Sequence, residues 1–180
     1  FSITRMASIG DSIFCLNGGK IQVSKDGPIS WQPYMQGIPA DVSILELRKN
    51  ADMLIAVGNS QPYFLLKGSN TWKSITKGLP AGNNFTTLYT FDNEHIFLEF
   101  YLESNYFVYK LNWTEESWIA LPILENTYKL AFAYDPSKGF LAAYDRVDAN
   151  DNYEIYLANS ANGIDWNAKN TTEIDSLDFG

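Results

Sequence analysis

The residue types that carry most enzyme chemistry are scarce in this chain. Cys15 is the sole cysteine, so no intrachain disulfide can form. It lies between Phe14 and Leu16 in a strand pattern with no basic neighbour in sequence, which reads as a buried, inert thiol. His95 is the sole histidine and follows Asp92-Asn93-Glu94 in a predicted turn, where a solvated ring is expected. One His and one Cys cannot build a metal site of those ligands, although carboxylates could hold a hard cation. Asp148-Ala149-Asn150-Asp151-Asn152-Tyr153-Glu154 places oxygen ligands at alternate positions, as a calcium loop does. The glycine expected at the sixth place is missing, however, and Asn159 stands where the twelfth-place Glu belongs. No metal and no cofactor is therefore expected. Glycosidic chemistry needs two facing carboxylates, and Glu99, Glu103, Asp145, Asp148 and Asp151 are candidates. With 21 acidic residues in the chain, chance pairs abound, and a solvated surface is the simpler reading.

The bulk properties exclude other classes. The formal charge is −8 with no basic run, which argues against nucleic acid and against an anionic membrane surface. No apolar run approaches the ~20 residues of a membrane span. The chain starts at Phe1 without a visible signal peptide, as a mature or trimmed product would. Hydrophobic residues make up 46% and charged residues 19%, a globular balance, and the 15% aromatic content favours strands.

What must position any site is a repeat. Ser24-Lys25-Asp26-Gly27-Pro28-Ile29-Ser30-Trp31 returns as Ser160-Ala161-Asn162-Gly163-Ile164-Asp165-Trp166. Weaker copies end at Trp72 and Trp118, and the four tryptophans are 41, 46 and 48 residues apart. Ser, Asp and Asn side chains bond to backbone amides two residues on, and Gly supplies the positive φ of a tight turn. Each copy reads as a hairpin tip followed by a buried ring. A second landmark, Asp11, Asn50, Asp92 and Asp135, keeps the same phase, and so do the connectors Gly37-Ile38-Pro39, Gly78-Leu79-Pro80 and Leu121-Pro122. Between them the apolar segments run five to seven residues, too short for amphipathic helices. Four short strands per repeat of ~40–50 residues predict an all-β propeller of four blades, over residues 4–34, 44–76, 85–122 and 128–170. The innermost strand of each blade should be the most apolar, as in Leu130-Ala131-Phe132-Ala133-Tyr134. Four blades could close alone, form part of a larger ring, or assemble with a second copy.

The opening stretch resembles the Asp-box, or BNR, repeat, Ser-x-Asp-x-Gly-x-Thr-Trp. Ser24, Asp26, Ser30 and Trp31 match, with glycine one place early at Gly27. Ser160, Asn162, Gly163 and Trp166 resemble the shorter Ser-x-Asp-Gly-x-x-Trp variant. The periodicity looks like that of propellers in bacterial cell-surface and secreted proteins, which implies an extracytoplasmic setting. In that family the box is a structural turn between third and fourth strands, so the resemblance implies architecture rather than activity. The family includes sialidases, which use an arginine triad, a Tyr–Glu nucleophile pair and an acid/base. Arg5, Arg48 and Arg146 lie on three units, but Phe1-Ser2-Ile3-Thr4-Arg5 departs from the family's Phe-Arg-Ile-Pro pattern, and Arg48 falls in a predicted first turn.

The expected function is a non-enzymatic binding or scaffold module, with a glycan or a protein as partner. A sialidase- or endoglucanase-like glycoside hydrolase is the alternative. Ligands should meet the face made by the loops between second and third strands (residues 17–19, 59–62, 104–105 and 145–152) and by the connectors (residues 35–42, 77–84 and 123–127). Tyr34, Tyr106, Arg146 and Asp151 are the candidate ligand residues there, because aromatic faces and charged hydrogen-bonding groups suit sugars and protein interfaces alike.

Overall fold

The structure, a computed structural model, describes residues 3–27, 29–58, 61–81, 84–92, 94–102, 105–124, 127, 129–147 and 152–171. It contains sixteen strands in four four-stranded sheets, each a meander in which every strand pairs antiparallel with the next. Blade 1 holds β1 (Ile3–Ile9), β2 (Ser12–Asn17), β3 (Lys20–Ser24) and β4 (Gln32–Pro33). Blade 2 holds β5 (Ile44–Asn50), β6 (Met53–Gly58), β7 (Pro62–Leu66) and β8 (Lys73–Ser74). Blade 3 holds β9 (Asn84–Thr90), β10 (Ile96–Leu102), β11 (Asn105–Asn112) and β12 (Ser117–Ala120). Blade 4 holds β13 (Leu130–Asp135), β14 (Gly139–Val147), β15 (Tyr153–Ser160) and β16 (Asn167–Asn170).

Alternation along each strand sends side chains to both faces of its blade, and neighbouring faces merge into cores. Phe14, Leu16, Ile21 and Val23 of blade 1 pack with Leu47, Leu54, Tyr63 and Trp72 of blade 2. The other face of blade 2, with Met53, Ile55, Val57 and Phe64, meets Leu88, Leu98, Leu111 and Trp118 of blade 3. Phe97, Val108, Leu121 and Leu124 of blade 3 then meet Phe140, Ala142, Tyr144 and Ala158 of blade 4. Among the described residues no core joins blade 4 to blade 1. The four blades form an open arc with three seams.

The tryptophans are the repeated fastener of these seams. Trp72 lies opposite Leu65 on the side of blade 2 that faces blade 1, and its indole N–H donates to the Tyr34 carbonyl at 2.9 Å. Trp118, paired with Leu111, does the same to the Ile75 carbonyl of blade 2 at 2.9 Å. The connectors lock on from outside: the Trp72 and Trp118 amides donate to the Gln36 and Lys77 carbonyls, each at 2.8 Å. Gly37 and Gly78 follow those carbonyls at φ of 92° and 89° and run against the tryptophan carbonyl oxygens, so a side chain has neither room nor a comfortable backbone there. Trp166 packs into the third seam, but its buried indole N–H has no acceptor among the described residues.

The predicted turns hold together in different ways. Asn162 Oδ1 accepts the Ile164 and Asp165 amides at 2.8 and 2.9 Å, and Ser160 Oγ accepts the Gly163 amide at 2.8 Å. Asp26 instead accepts the hydroxyls of Ser24 and Ser30 at 2.8 and 2.8–2.9 Å, and these hold its carboxyl below the usual carboxylate range. Gly27 adopts φ of 78° in that turn, and Ser24 Oγ also donates to its carbonyl.

Three sequence expectations need correction. His95 is half-buried rather than solvated: Nδ1 lies 2.7 Å from Asp92 Oδ2, and the ring packs against Phe140 and Tyr134. Arg48 is in strand β5, not in a turn, because β5 continues to Asn50 and the turn is only Ala51-Asp52. The innermost strands are not the most buried. Every residue of β6, a second strand, is buried, whereas β13 alternates half-buried and exposed positions, since among the described residues no core lies on the outward face of blade 4.

Candidate binding surface at the connector end

In blade 1 the loop between second and third strands meets the connector to the next blade. The Ile44 amide donates to the Gly19 carbonyl at 2.9 Å, and Lys20 Nζ donates to the carbonyls of Ala40 and Val42 at 2.6 and 3.0 Å. At the same end of blade 4, Asp145 Oδ1 accepts the Lys129 amide at 2.6 Å.

Tyr106, the second residue of β11, lies opposite Tyr101, and their rings lie 5.0 Å apart. The pair Glu99 and Val108 lies two positions along, and Val108 belongs to the core shared with blade 4. By alternation Tyr101 and Tyr106 therefore face blade 4. On blade 4, Tyr144 is in that same core, and its ring stacks on Tyr156 at 5.5 Å with an interplanar angle of 6°. The Arg146 guanidinium carbon sits 5.2 Å from the Tyr144 ring and 5.7 Å from the Tyr156 ring, within cation–π range. Tyr156 donates to Glu154 Oε2 at 2.8 Å, and that hydrogen bond, with burial, pushes its phenol up. Burial does the same to Tyr144. The structure thus assigns Tyr106 and Arg146 to the two sides of one seam at the connector end, with Tyr101, Tyr144 and Tyr156 beside them.

It separates Tyr34 from them. Tyr34 belongs to the first seam, where its ring meets Phe14 edge-on at 5.3 Å, its hydroxyl donates to the Ser69 carbonyl at 3.2 Å, and its carbonyl receives Trp72. Asp151 and most of the calcium-like segment lie outside the described residues. Among the described residues no group of three or more His, Cys, Asp or Glu side chains could hold a metal ion.

A cluster on the inner strands escaped the sequence reading. Glu46 Oε1 accepts Arg5 Nε at 3.2 Å and Arg48 Nε at 3.1 Å, joining β1 to β5. On blade 3 the buried Glu99 accepts the Tyr89 hydroxyl at 3.3 Å, and that hydroxyl also lies 3.0 Å from the Leu130 carbonyl. Burial, reinforced by the Glu99 charge, pushes the Tyr89 phenol far up. The i, i+2 spacing of Glu46 and Arg48 on one strand face was the available signal, but pairing with Arg5 depends on how two blades meet.

No protein-family model matches the sequence, and no curated protein does either. Solved structures do. The N-terminal domain of Nup159 is similar over 96% of this chain and 48% of its own, at 10% identity and a TM-score of 0.55. YCF48 from Cyanidioschyzon merolae is similar over 92% of this chain and 58% of its own, at 12% identity and a TM-score of 0.53. A structure of YCF48 bound to D1 peptide gives 91% and 52%, at 14% identity and a TM-score of 0.54. The fold is a β-propeller fold. The chain spans about half the length of these structures.

Proposed function

We propose that this chain is a non-enzymatic, protein-binding propeller module. The observation that carries the reading is the seam between blades 3 and 4, where Tyr101, Tyr106, Tyr144, Tyr156 and Arg146 gather at the connector end. Tyr and Arg are the residue types that dominate binding energy at protein interfaces, because they combine large contact area with hydrogen-bonding tips. Two of the similar propellers were solved with protein or peptide partners, YCF48 with D1 peptide and Nup159 with Dbp5, which supports a peptide as ligand. Sugars also stack on tyrosine faces, so a glycan is the competing ligand class. The extracytoplasmic setting and the Asp-box kinship are further parts of this reading, supported by the sequence resemblance.

A glycosidase reading has one observation in its favour, the Tyr89–Glu99 pair near the arginine-bearing inner strands. Its electrostatics run the wrong way: a phenol pushed up by burial and by a neighbouring carboxylate is a poorer nucleophile, and Tyr89 is already engaged with Leu130.

A random-peptide phage library selected on the immobilised chain, followed by calorimetry with the best peptide, tests the proposal. Tyr106→Ala and Arg146→Ala should each weaken binding about 10-fold or more, a loss of ~1.4 kcal/mol, while circular dichroism stays unchanged. Peptides that bind both variants as well as the parent would refute the site. Ligands found only on a parallel glycan array would refute the ligand class.

A further inference from the structure

In blades 2, 3 and 4 the tryptophan at or just before the start of the outer strand faces the preceding blade. Blade 1 carries the same device, and among the described residues no core lies in front of it. Val23 pairs with Gln32, so Trp31 lies opposite Ser24, on the face away from blade 2. That face also carries Ile13, Cys15 and Met6, the last 58% exposed. Trp31 is half-buried, belongs to none of the three cores, and its indole makes no hydrogen bond among the described residues.

Blade 4 carries the complementary half. Register puts Ala131, Ala133, Leu141, Ala143, Ile155 and Leu157 on the side away from blade 3. Leu141 and Ile155 are 37% and 56% exposed. The corresponding second-strand positions of blades 1 and 2, Phe14 and Ile55, are buried in seams. The acceptors of the indole N–H groups, Tyr34 and Ile75, each follow an outer strand by one residue. By register each lies three residues after its own blade's tryptophan, and the residue in that place in blade 4 is Lys169.

We propose that the arc closes on a second copy of the same chain, blade 4 of each copy receiving blade 1 of the other. Trp31 then fills in trans the place that Trp72 and Trp118 fill in cis, with its indole N–H donating to the partner's Lys169 carbonyl. Both halves of the missing seam are on one chain, so a two-fold axis generates two identical closing seams and leaves no blade face bare. The new seams continue the internal ones in kind. Eight blades lie within the range propellers adopt. This inference is independent of the peptide-binding reading, since the closing seams and the blade 3–blade 4 seam are different surfaces.

Sedimentation equilibrium of the chain at micromolar concentration tests it. The expected species has twice the 20.3 kDa chain mass. Trp31→Ala and Ile155→Glu should each raise the dissociation constant about 100-fold or more. Both residues lie outside the three internal cores, so each variant should keep the far-UV spectrum of the parent. Mixing the two variants is the decisive arm. A mixed dimer has one seam with both parent residues and one doubly altered seam, whereas each variant alone has two altered seams, so the mixture should assemble more tightly than the weaker variant alone. A parent chain that stays monomeric at every concentration would overturn the proposal and leave the faces to further blades or another partner. A dimer indifferent to both substitutions, or no recovery on mixing, would equally overturn it.

Discussion

Gly78→Ala probes how the connectors fasten one blade to the next. Gly78 has φ of 89°, where an L-residue costs roughly 1–2 kcal/mol. Ala also restricts the unfolded chain, which returns about 0.4–1 kcal/mol. Backbone conformation alone therefore predicts a loss near 1 kcal/mol. Gly68, at φ of 85° with open space around it, isolates that contribution, so Gly68→Ala should lose about 1 kcal/mol. At Gly78 the added Cβ would lie inside the contact radius of the Trp118 carbonyl oxygen, and neither backbone segment can step aside freely. The Trp118 amide bonds to Lys77 at 2.8 Å, and its indole bonds to Ile75. Separating the strands puts those two hydrogen bonds at risk, at about 0.5–1.5 kcal/mol each. The expected loss for Gly78→Ala is thus about 2–4 kcal/mol. Urea unfolding of both variants and the parent, followed by tryptophan fluorescence, measures the difference. Equal losses at the two glycines would refute the reasoning, because backbone strain would then account for everything and the close approach to Trp118 for nothing.

Trp118→Ala should cost ~3–5 kcal/mol in the same assay, because the ring is only 4% exposed and fastens two blades. Trp31→Ala, measured below the concentration at which copies associate, should cost under about 1.5 kcal/mol, since Trp31 is half-buried and outside the cores. Asn162→Ala should cost about 1–2 kcal/mol through loss of two accepted amides. Stability should fall as pH drops below ~4. At Asp92, burial by itself would push the carboxyl up, but hydrogen bonds from the His95 ring and from the Glu94 and His95 amides outweigh it and hold it below the usual range. The folded state therefore binds fewer protons than the unfolded chain, and the stabilisation present above the unfolded value is lost as pH falls through the folded one. Asp92→Asn should flatten part of that acid limb in thermal melts between pH 2 and about pH 5.

The repeat was legible in the sequence because its determinants are local. The Asn17-Gly18-Gly19 turn, the alternation in Lys20–Ser24, and the Ser160-Ala161-Asn162-Gly163 turn each depend on φ preferences and side-chain bonds within a few residues. Strand existence and order follow from those turns and from period-two alternation, so four meandering sheets could be read without coordinates. What one sequence could not show is which faces meet. The tryptophans looked equivalent, yet Trp72 and Trp118 are buried at 2% and 4% exposure while Trp31 and Trp166 are half-buried. The difference lies in whether another blade stands in front and how closely it packs. Tyr34 and Tyr106 looked alike as connector-end aromatics, but one is spent fastening a seam and the other lies beside Tyr101 facing blade 4. Arg5 and Arg48 share Glu46 although they are 43 positions apart in sequence. Contacts between blades depend on the angle at which successive sheets pack, which is summed over many weak side-chain contacts rather than written in any one motif. The sequence by itself determined the blades; the tertiary structure decided the seams.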